Sequence, residues 1–247
     1  MITSIQNDKA KQWHKLKKKK ERVRSKTFLI EGFHLIEEAH ASNWKIEEFI
    51  LQEGSDAPGF STDYPVFIVS PSVFNHISET KTPQGIAAVV RMKASVWESF
   101  EKVLLVDAVQ DPGNLGTMIR TADAAGFDAV ILGENTVDMY NNKVVRSTQG
   151  SLFHIPVFQE SLLAKIPVLK DEGFTVWASA LMNSVPFTAI TPDRKVALII
   201  GNEGAGITEE IIHLADHCVK IPIYGKAESL NASVAAGILM YYIKAKA

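Results

Sequence analysis

One arginine lies between two apolar stretches: Arg120, in the segment VQDPGNLGTMIRTADAAGF that runs from Val109 to Phe127. The residues Asp111-Pro112-Gly113 predict a turn, after which Asn114 can cap a helix. Helical periodicity places Arg120 on the flank of a buried stripe, toward the edge of a sheet. An arginine is a poor base because its pKa is above ~12, but it binds phosphate and stabilises developing negative charge. The alternatives are a surface arginine paired with Asp123 or another acid, and an Asn114 that only caps the helix. The predicted stripe consists of Leu115, Met118, Ile119, Ala122 and Ala125.

A glycine-rich loop follows a predicted strand in LIIGNEGAGIT, from Leu198 to Thr208. Its Gly201, Gly204 and Gly206 allow a ligand to approach the backbone, whose N–H and C=O groups can read an adenine or ribose edge. The order G-x-x-G-x-G is neither the dinucleotide fingerprint nor a P-loop, so the loop is not predicted to cradle phosphate. The run from Glu203 is similar to the E-x-G-x-G opening of a Rossmann methyltransferase. That opening belongs on a first strand, however, and too little chain follows it here. The alternative is a tight connection with incidental glycines.

A third loop joins a strand to a helix in IPIYGKAESLNASVAAGILMYY, from Ile221 to Tyr242. Ser229 and Asn231 bracket the start of this helix, and either can be its N-cap. Capping explains one of the two polar residues but not both, so both are candidate functional side chains. Periodicity predicts that the helix buries a stripe of Val234, Ala235, Ile238, Leu239 and Tyr242.

The order of strands and helices predicts where these three loops meet. From Lys102 onward, the strand patterns KVLLVDAV, DAVILG, LFHIPVF, TVWASAL, VALIIG and HCVKIPI are separated mostly by helical patterns. Such an order predicts an α/β fold with a mainly parallel sheet, whose ligands bind at the carboxyl ends of the strands. Earlier strand and helix patterns, from TFLIEG to QGIAAVVRM, form a small α/β unit that ends near Met92. We therefore predict two domains, residues 1–95 and 96–247.

Composition excludes several classes of protein. The 247 residues are 46% hydrophobic, which is ample for a buried core. A single cysteine, Cys218, excludes an internal disulfide and argues against a Cys/His metal site. The longest nearly apolar run, Val234 to Ile243, is far shorter than the ~20 residues of a membrane helix, and no apolar segment follows the charged N-terminus. We expect a cytoplasmic protein that has no metal and is neither secreted nor inserted in a membrane.

Positive charge is concentrated near the N-terminus. The stretch from Lys9 to Lys26 holds ten of the 26 Lys and Arg residues and one acid, Glu21, which gives +9 there and −11 elsewhere for a net charge of −2. This distribution is typical of a protein that binds a phosphate backbone, although a solvated lysine-rich helix face is the alternative. The interleaved Trp13, His14 and Leu16 favour docking of the segment onto a fold. Candidate RNA contacts are Lys17, Lys18, Lys19, Lys20, Arg22 and Arg24.

With all three loops considered, the chain resembles the TrmH/SpoU family of RNA ribose 2'-O-methyltransferases, within the SPOUT class. Three motifs carry the resemblance: N-x-G-x-x-x-R at Asn114 to Arg120, G-N-E-G-x-G at Gly201 to Gly206, and I-P-I…S-L-N-x-S-x-A at Ile221 to Ala235. They occur in the family's order and at similar spacing. FLIEGFHLIEEA and TKTPQGIAAVV are similar to the RNA-binding N-terminal domain that many members carry, so the resemblance covers nearly the whole chain.

The resemblance implies a fold and a cofactor. The expected fold is a C-terminal α/β domain with a trefoil knot, preceded by a small α/β RNA-binding domain, in a homodimer built across the knotted region. The expected cofactor is S-adenosyl-L-methionine, held bent in backbone loops. The implied cofactor site consists of Gly201, Asn202, Gly204, Gly206, Ile221, Ser229 and Leu230.

The resemblance also implies catalytic roles. In the family proposal, Arg120 becomes the base with the help of a substrate phosphate, or orients that base. On physical grounds we prefer a weaker version, in which Arg120 clamps the phosphate and stabilises the developing alkoxide. Asn114, Glu203, Ser229 and Asn231 would position Arg120, the ribose and the loops, some of them across the dimer interface. A basic segment with an aromatic residue at Trp13 suits the recognition of structured RNA.

The identity of the RNA is less constrained. Members with such an N-terminal domain mostly resemble enzymes that act on large-subunit ribosomal RNA, which we favour over transfer RNA. Three alternatives remain: a non-catalytic RNA-binding or ribosome-assembly protein, a SPOUT enzyme that methylates a base nitrogen, and a nucleotide-binding metabolic enzyme unrelated to RNA. The five candidate catalytic residues argue against the non-catalytic protein, and the arginine in the first motif argues against the base-methylating enzyme. The basic segment argues against the metabolic enzyme.

Overall fold

A computed structural model describes residues 1–246, which form two compact units. The first comprises Met1–Ala94 and Asp138–Phe153, and the second comprises Ser95–Val137 and the chain from His154 onward. The strands are β1 (Thr27–Glu31), β2 (Ile46–Gln52), β3 (Val66–Val69), β4 (Ile86–Arg91), β5 (Lys102–Val106), β6 (Ala129–Leu132), β7 (Val157–Gln159), β8 (Thr175–Ser179), β9 (Val185–Pro186), β10 (Val196–Ile200) and β11 (His217–Lys220). The helices are α1 (Asp8–Lys15), α2 (Lys19–Ser25), α3 (Phe33–Ala41), α4 (Pro71–Ile77), α5 (Pro112–Ala124), α6 (Asn142–Thr148), α7 (Leu162–Asp171), α8 (Glu209–Ile212) and α9 (Ala232–Lys246).

The first unit is built on a four-stranded mixed sheet in the order β1-β4-β2-β3. Strand β4 is antiparallel to both of its neighbours, whereas β2 and β3 are parallel. The basic segment packs onto this unit through Ala10, Trp13 and Leu16, which join a core cluster with residues of the strands and of α4. The predicted docking of the segment onto a fold is confirmed by this cluster. It is possible because apolar side chains at three-residue spacing line one side of α1.

The second unit is built on a seven-stranded sheet in the order β7-β6-β5-β10-β8-β11-β9, and all of its strand pairs are parallel. Every residue of β5, β6 and β10 is buried, as expected for strands with both faces covered. The parallel sheet predicted from the sequence is confirmed. Its carboxyl edge presents the loops that follow β5, β10 and β11, which carry the three motifs.

The structure differs from the sequence predictions in two elements. The segment LFHIPVF is not one strand: a 3-10 turn covers Ser151–Phe153, and β7 is limited to Val157–Gln159. The buried stripe predicted for the last helix is wrong at Val234 and Ile238, which are exposed. Because α9 is apolar on nearly every side, periodicity could not fix its rotation. Its buried residues are Ser233, Ala236, Leu239, Met240 and Ile243.

In residues 1–246, no helix is both long enough and apolar enough to span a membrane.

Candidate active site

The first motif forms the start of α5, and its cap is Asp111 rather than Asn114. The Asp111 carboxylate accepts a hydrogen bond from the Asn114 backbone N–H at 2.8 Å, and Pro112 occupies the first helical turn. The prediction that Asn114 caps the helix is therefore wrong, because proline at the first position moves the cap to the residue before it. The Asn114 side chain is left available for contacts outside its own helix. All five residues of the stripe predicted for α5 are buried.

The glycine-rich loop after β10 folds back on itself in a tight turn. Asn202 and Gly206 exchange two backbone hydrogen bonds of 2.9 and 3.0 Å, and Asn202 Oδ1 accepts from the N–H groups of Gly204 and Ala205. A Cβ at Gly201 would lie 2.3 Å from the carbonyl carbon of Gly206, so only glycine fits. Gly206 adopts a φ of +74°, which also favours glycine. Gly201 and Gly206 are therefore required by the local backbone and are not incidental, whereas Gly204 has room for a Cβ and does not have a positive φ.

The loops after β5 and β10 are joined at their bases. Asp107, the residue after β5, accepts hydrogen bonds from the N–H and the hydroxyl of Thr208 at 2.7 and 2.8 Å. Asn202 Nδ2 donates to the carbonyl of Ala108 at 2.8 Å. The sequence analysis did not identify Asp107. Its position as the first polar residue after a buried strand is the signal that would have pointed to it.

Three of the predicted catalytic side chains form one hydrogen-bonded chain across the three loops. Asn231 Nδ2 donates to Asn114 Oδ1 at 2.9 Å, and Asn114 Nδ2 donates to Glu203 Oε1 at 3.0 Å. Asn231 is also the cap of α9, because its Oδ1 accepts from the N–H groups of Ser233 and Val234. Asn231 thus caps α9 and bridges to Asn114 at once, whereas Asn114 bridges between Asn231 and Glu203.

Glu203 is held as a carboxylate. Its oxygens accept from Asn114 and from the backbone N–H groups of Gln110 and Asp111, at 3.3 and 3.2 Å. Burial alone would raise the pKa of Glu203, but these hydrogen bonds outweigh burial and lower the pKa below its usual range. Glu203 therefore carries its negative charge at neutral pH and fixes the start of α5 to the glycine-rich loop.

A cleft of about 310 Å³ lies between the loops, and we call it the loop cleft. Ala232 and Ala235 of α9 contribute small side chains to its wall, and Leu181 contributes an apolar one. The loop cleft is also lined by all seven residues predicted to bind the cofactor, namely Gly201, Asn202, Gly204, Gly206, Ile221, Ser229 and Leu230.

The approach to α9 leaves backbone groups available. Within the described chain, residues 222–230 form no hydrogen bond with any other residue, although Ile223 and Glu228 to Leu230 line the loop cleft. The Ser229 side chain is exposed in this stretch. It does not join the hydrogen-bonded chain of Asn231, Asn114 and Glu203, which we call the amide chain. Such a stretch can offer backbone N–H and C=O groups to a bound molecule.

Arg120 lies on the exposed side of α5, outside the lining of the loop cleft. The predicted alternative, an ion pair with Asp123, is wrong, because Asp123 binds His154 Nδ1 at 3.1 Å instead. Among the described residues, Arg120 has no hydrogen-bond or ion-pair partner. Its guanidinium is free to bind an anionic ligand.

Two residues of the basic segment are unsuited to the roles predicted for them. Arg22 is only 4% exposed and donates to the carbonyls of Leu16 and Lys17 and to the carboxylate of Asp138, so it cannot contact RNA. Trp13 is 1% exposed and donates to Glu48, which removes it as a stacking platform for a base.

The remaining basic residues of the segment differ in their availability. Lys17 is half-buried and donates to the carbonyls of His76 and Ser78 at 2.9 and 3.0 Å. Lys18, Lys19, Lys20 and Arg24 are exposed, and Arg24 pairs with Glu21. We call Lys18 to Lys20 with Arg24 the basic patch.

In residues 1–246, no group of three His, Cys, Asp or Glu side chains is arranged to hold a metal ion.

Comparison with known proteins identifies two family models along the chain. Residues 101–241 match the SpoU rRNA Methylase family, and residues 7–88 match the MRM3-like substrate binding domain. The chain is 48% identical over 244 residues to 23S rRNA (guanosine(2553)-2'-O)-methyltransferase RlmP of Bacillus subtilis (strain 168), an alignment that covers 98% of each protein.

Solved structures resemble the chain over nearly its full length. The AdoMet-bound rRNA methyltransferase from Sinorhizobium meliloti has a TM-score of 0.90 and 31% identity, covering 99% of this chain and 97% of that one. The SpoU methyltransferase AviRb from Streptomyces viridochromogenes, in complex with AdoMet, has a TM-score of 0.88 and 25% identity, covering 97% of this chain and 98% of that one.

Proposed function

Because the chain belongs to the SpoU rRNA methylase family and is thus an S-adenosyl-L-methionine-dependent RNA methyltransferase, we propose that it methylates a ribose 2'-hydroxyl of large-subunit ribosomal RNA. The observation that carries the proposal is the hydrogen-bonded chain from Asn231 through Asn114 to Glu203, beside the loop cleft. It joins all three motifs at the carboxyl edge of one parallel sheet, where such folds bind their ligands.

The residues of the loop cleft fit S-adenosyl-L-methionine. Apolar side chains at Leu181, Ile221 and Leu230 suit the adenine ring, and the unpaired backbone groups of residues 222–230 suit its edge. The lining has two carboxylates, Glu203 and Glu228, and one cation, Lys220, and this excess of negative charge favours a ligand with positive charge. When bound, this cofactor supplies a methyl group on a positively charged sulfur. The chain's own residues have to hold it, orient the ribose hydroxyl and exclude water.

Arg120 is proposed to act on the RNA. Its unpaired and exposed guanidinium can bind the phosphate next to the target ribose, and can stabilise the alkoxide that develops as the 2'-hydroxyl loses its proton. Asn114, in the amide chain, fixes the start of the helix that carries Arg120. Ser229, exposed at the loop cleft, is proposed to contact the ribose or the cofactor.

We also propose a homodimer whose interface includes α9. Val234, Ile238 and Tyr241 are 51%, 38% and 55% exposed and follow one another at helical spacing. An apolar stripe of this kind is typical of an interface. Arg120 does not line the loop cleft of its own chain. In the proposed dimer, Arg120 of one subunit would complete the site at the loop cleft of the other. A trefoil knot in the second domain is part of the same proposal.

The proposed substrate is 23S rRNA, and the proposed target is a guanosine equivalent to the one named for the Bacillus subtilis relative. High identity over nearly the full length of both proteins, including the first domain, favours a shared substrate. The basic patch supplies exposed cations for the phosphate backbone. Transfer RNA is the alternative substrate.

Methyl transfer tests the proposal directly. The purified protein is incubated with methyl-labelled S-adenosyl-L-methionine and 23S rRNA that lacks the modification, and the RNA is digested to nucleosides. We expect labelled 2'-O-methylguanosine, which disappears in Arg120→Ala. Arg194→Ala is the matched control, because Arg194 is an exposed arginine of the same unit that pairs with Glu101.

Each other outcome has a defined meaning. A label on a base would place the protein among enzymes that methylate a base nitrogen. Label on transfer RNA alone would replace the proposed substrate. Tight RNA binding without any transfer would indicate a non-catalytic RNA-binding protein. Full activity of Arg120→Ala would refute the role proposed for the arginine.

A further inference from the structure

A second cavity, of about 230 Å³, lies in the first unit at the start of α3. Its lining includes side chains from three segments that are distant in sequence, and none of them belongs to the three motifs. We call it the α3 cavity, and its polar lining includes His34, Thr82, Gln84, Arg146 and Gln149.

Arg146 lines this cavity and has one donor nitrogen without a partner. Its Nη1 nitrogen is buried and has no hydrogen-bond partner in the structure. Leaving a buried charged donor unpaired is costly, so such groups are normally paired or bind a ligand. Arg146 is positioned by α6, which folds with the first unit although its sequence lies within residues 101–241.

The start of α3 adds further donors. Gly32 precedes the helix without a side-chain cap, and Gln84 Oε1 accepts from the Phe33 N–H at 3.0 Å. Within the described residues, the N–H groups of His34 and Leu35 have no acceptor, and both residues line the α3 cavity. The first turn of a helix attracts anions through such groups and through the helix dipole. The amide group of Gln84 and the hydroxyl of Thr82 are two more potential donors.

One acid lines the α3 cavity, but its charge is already compensated. The Glu31 carboxylate accepts hydrogen bonds from the Ser78 hydroxyl at 2.5 Å, the Glu79 N–H at 3.0 Å and the Thr80 hydroxyl at 3.1 Å. Arg146 therefore remains in the lining with a guanidinium nitrogen, the buried Nη1, to which no carboxylate or carbonyl is bound. The chemistry of this lining favours a compact anion with several acceptor oxygens.

We infer that the α3 cavity binds a phosphate group of the RNA substrate, with Arg146 and the first turn of α3 as its principal donors. The identity of the ligand as RNA rests on the proposed function, whereas the affinity for phosphate rests on the cavity alone. Arginine matches the geometry of phosphate because its planar fork can donate two parallel hydrogen bonds. A phosphate here would fix the position of the RNA without reading its sequence.

The test compares Arg146→Gln with Arg91→Gln, a matched control on an exposed arginine of the same unit that pairs with Glu47. Dissociation constants for a 23S rRNA fragment are measured over a range of salt concentrations. We expect Arg146→Gln to bind about tenfold more weakly and to reduce the salt slope by ~0.7–0.9, the value for one lost phosphate contact. Arg91→Gln should match the wild type. Equal affinity and slope in Arg146→Gln and the wild type would overturn the inference.

Thermal unfolding separates binding from a structural role. In chloride, Arg146→Gln should melt at or above the wild-type temperature, because an unpaired buried donor is removed. Inorganic phosphate at matched ionic strength should raise the melting temperature of the wild type more than that of Arg146→Gln. A variant that melts well below the wild type in chloride and responds equally to phosphate would show that Arg146 only supports the fold. If phosphate stabilises selectively while RNA affinity is unchanged, the cavity is a free-anion site and the RNA inference fails.

A second variant covers the possibility that Arg146→Gln does not fold. Gln84→Glu keeps an acceptor for the Phe33 N–H and replaces the amide donor with a carboxylate oxygen, which should repel phosphate and weaken RNA binding. Unchanged RNA binding by Gln84→Glu would contradict the site. Methyl transfer by the wild type is measured on the same preparation. Its absence would refute the proposed function, yet selective stabilisation by phosphate would still support the cavity.

Discussion

Replacing Gly201 with alanine should damage both the fold and the loop cleft. The added Cβ would meet three backbone atoms, the carbonyl carbon and oxygen of Gly206 and the nitrogen of Ile207, at 2.3, 2.4 and 2.4 Å. Ordinary contacts begin near 3.4 Å, so the loop has to move by about 1 Å. The two hydrogen bonds between Asn202 and Gly206 then weaken.

The expected size of the effect follows from this clash. Overpacking of this kind costs ~1–3 kcal/mol, and in a chain of this length each kcal/mol lowers the melting temperature by ~2–4 °C. We expect Gly201→Ala to melt about 2–12 °C below the wild type. A displacement of ~1 Å in a loop that positions reactants can reduce turnover by ~100-fold.

The matched control is Gly204→Ala, in the same loop. A Cβ at Gly204 would have one neighbour, Asn202 Oδ1 at 3.7 Å, and the backbone there does not require a positive φ. Calorimetry of the two variants, with titration of S-adenosyl-L-methionine, checks the reasoning. Equal melting temperatures for Gly201→Ala and Gly204→Ala would refute it. Weaker cofactor binding by Gly204→Ala with unchanged melting would instead mean that the cofactor lies against Gly204.

Three further predictions concern separate parts of the molecule. Because the pKa of Glu203 is lowered on folding, its carboxylate stabilises the protein at neutral pH, and that contribution is lost as the pH falls through the folded pKa. Chemical denaturation should therefore find Glu203→Gln less stable than the wild type at pH 7, with the difference shrinking in acid; a constant difference would contradict this. Replacing Lys18 to Lys20 with glutamine should weaken RNA binding and reduce its salt slope by about 2–3, at ~0.7–0.9 per contact, without changing cofactor affinity; unchanged RNA affinity would remove the basic patch from the interface. Ile238→Asp should shift the protein to monomer in sedimentation, whereas Val168→Asp, on an exposed apolar residue of α7, should not.

The sequence predicted helix α5 better than helix α9, and the reason is the contrast between their faces. In α5, apolar residues are interrupted by polar ones, so periodicity gives a single solution for the buried stripe. In α9, apolar and small residues surround the helix, and of the predicted stripe only Leu239 is buried. The rotation of α9 is fixed by Asn231, which caps it and donates to Asn114, a residue 117 positions away. A contact of that range is not visible in local periodicity.

The candidate site, too, could be predicted from the sequence only in part. The motifs predicted Asn114, Glu203 and Asn231 as candidate site residues, but their arrangement in one hydrogen-bonded chain depends on tertiary structure. Composition identified a basic segment, yet could not separate Arg22 from the exposed lysines beside it. Arg22 is removed from the surface by Asp138, which lies 116 residues later in the chain. A charge run therefore predicts the chemistry of a surface, and only the fold shows which charges reach it.

The arrangement of the amide chain links the loop cleft to Arg120 without direct contact. Glu203 and Asn231 lie in the two loops that line the cleft or lead directly out of it, and both hold the Asn114 side chain. Asn114 and Arg120 belong to one rigid helix of 13 residues, anchored at its start by Asp111 and packed against α9. Any molecule that orders these loops thereby also fixes the helix that presents the guanidinium. The position of Arg120 consequently depends on loop residues that need not touch it, because a helix transmits the position of its first turn along its length.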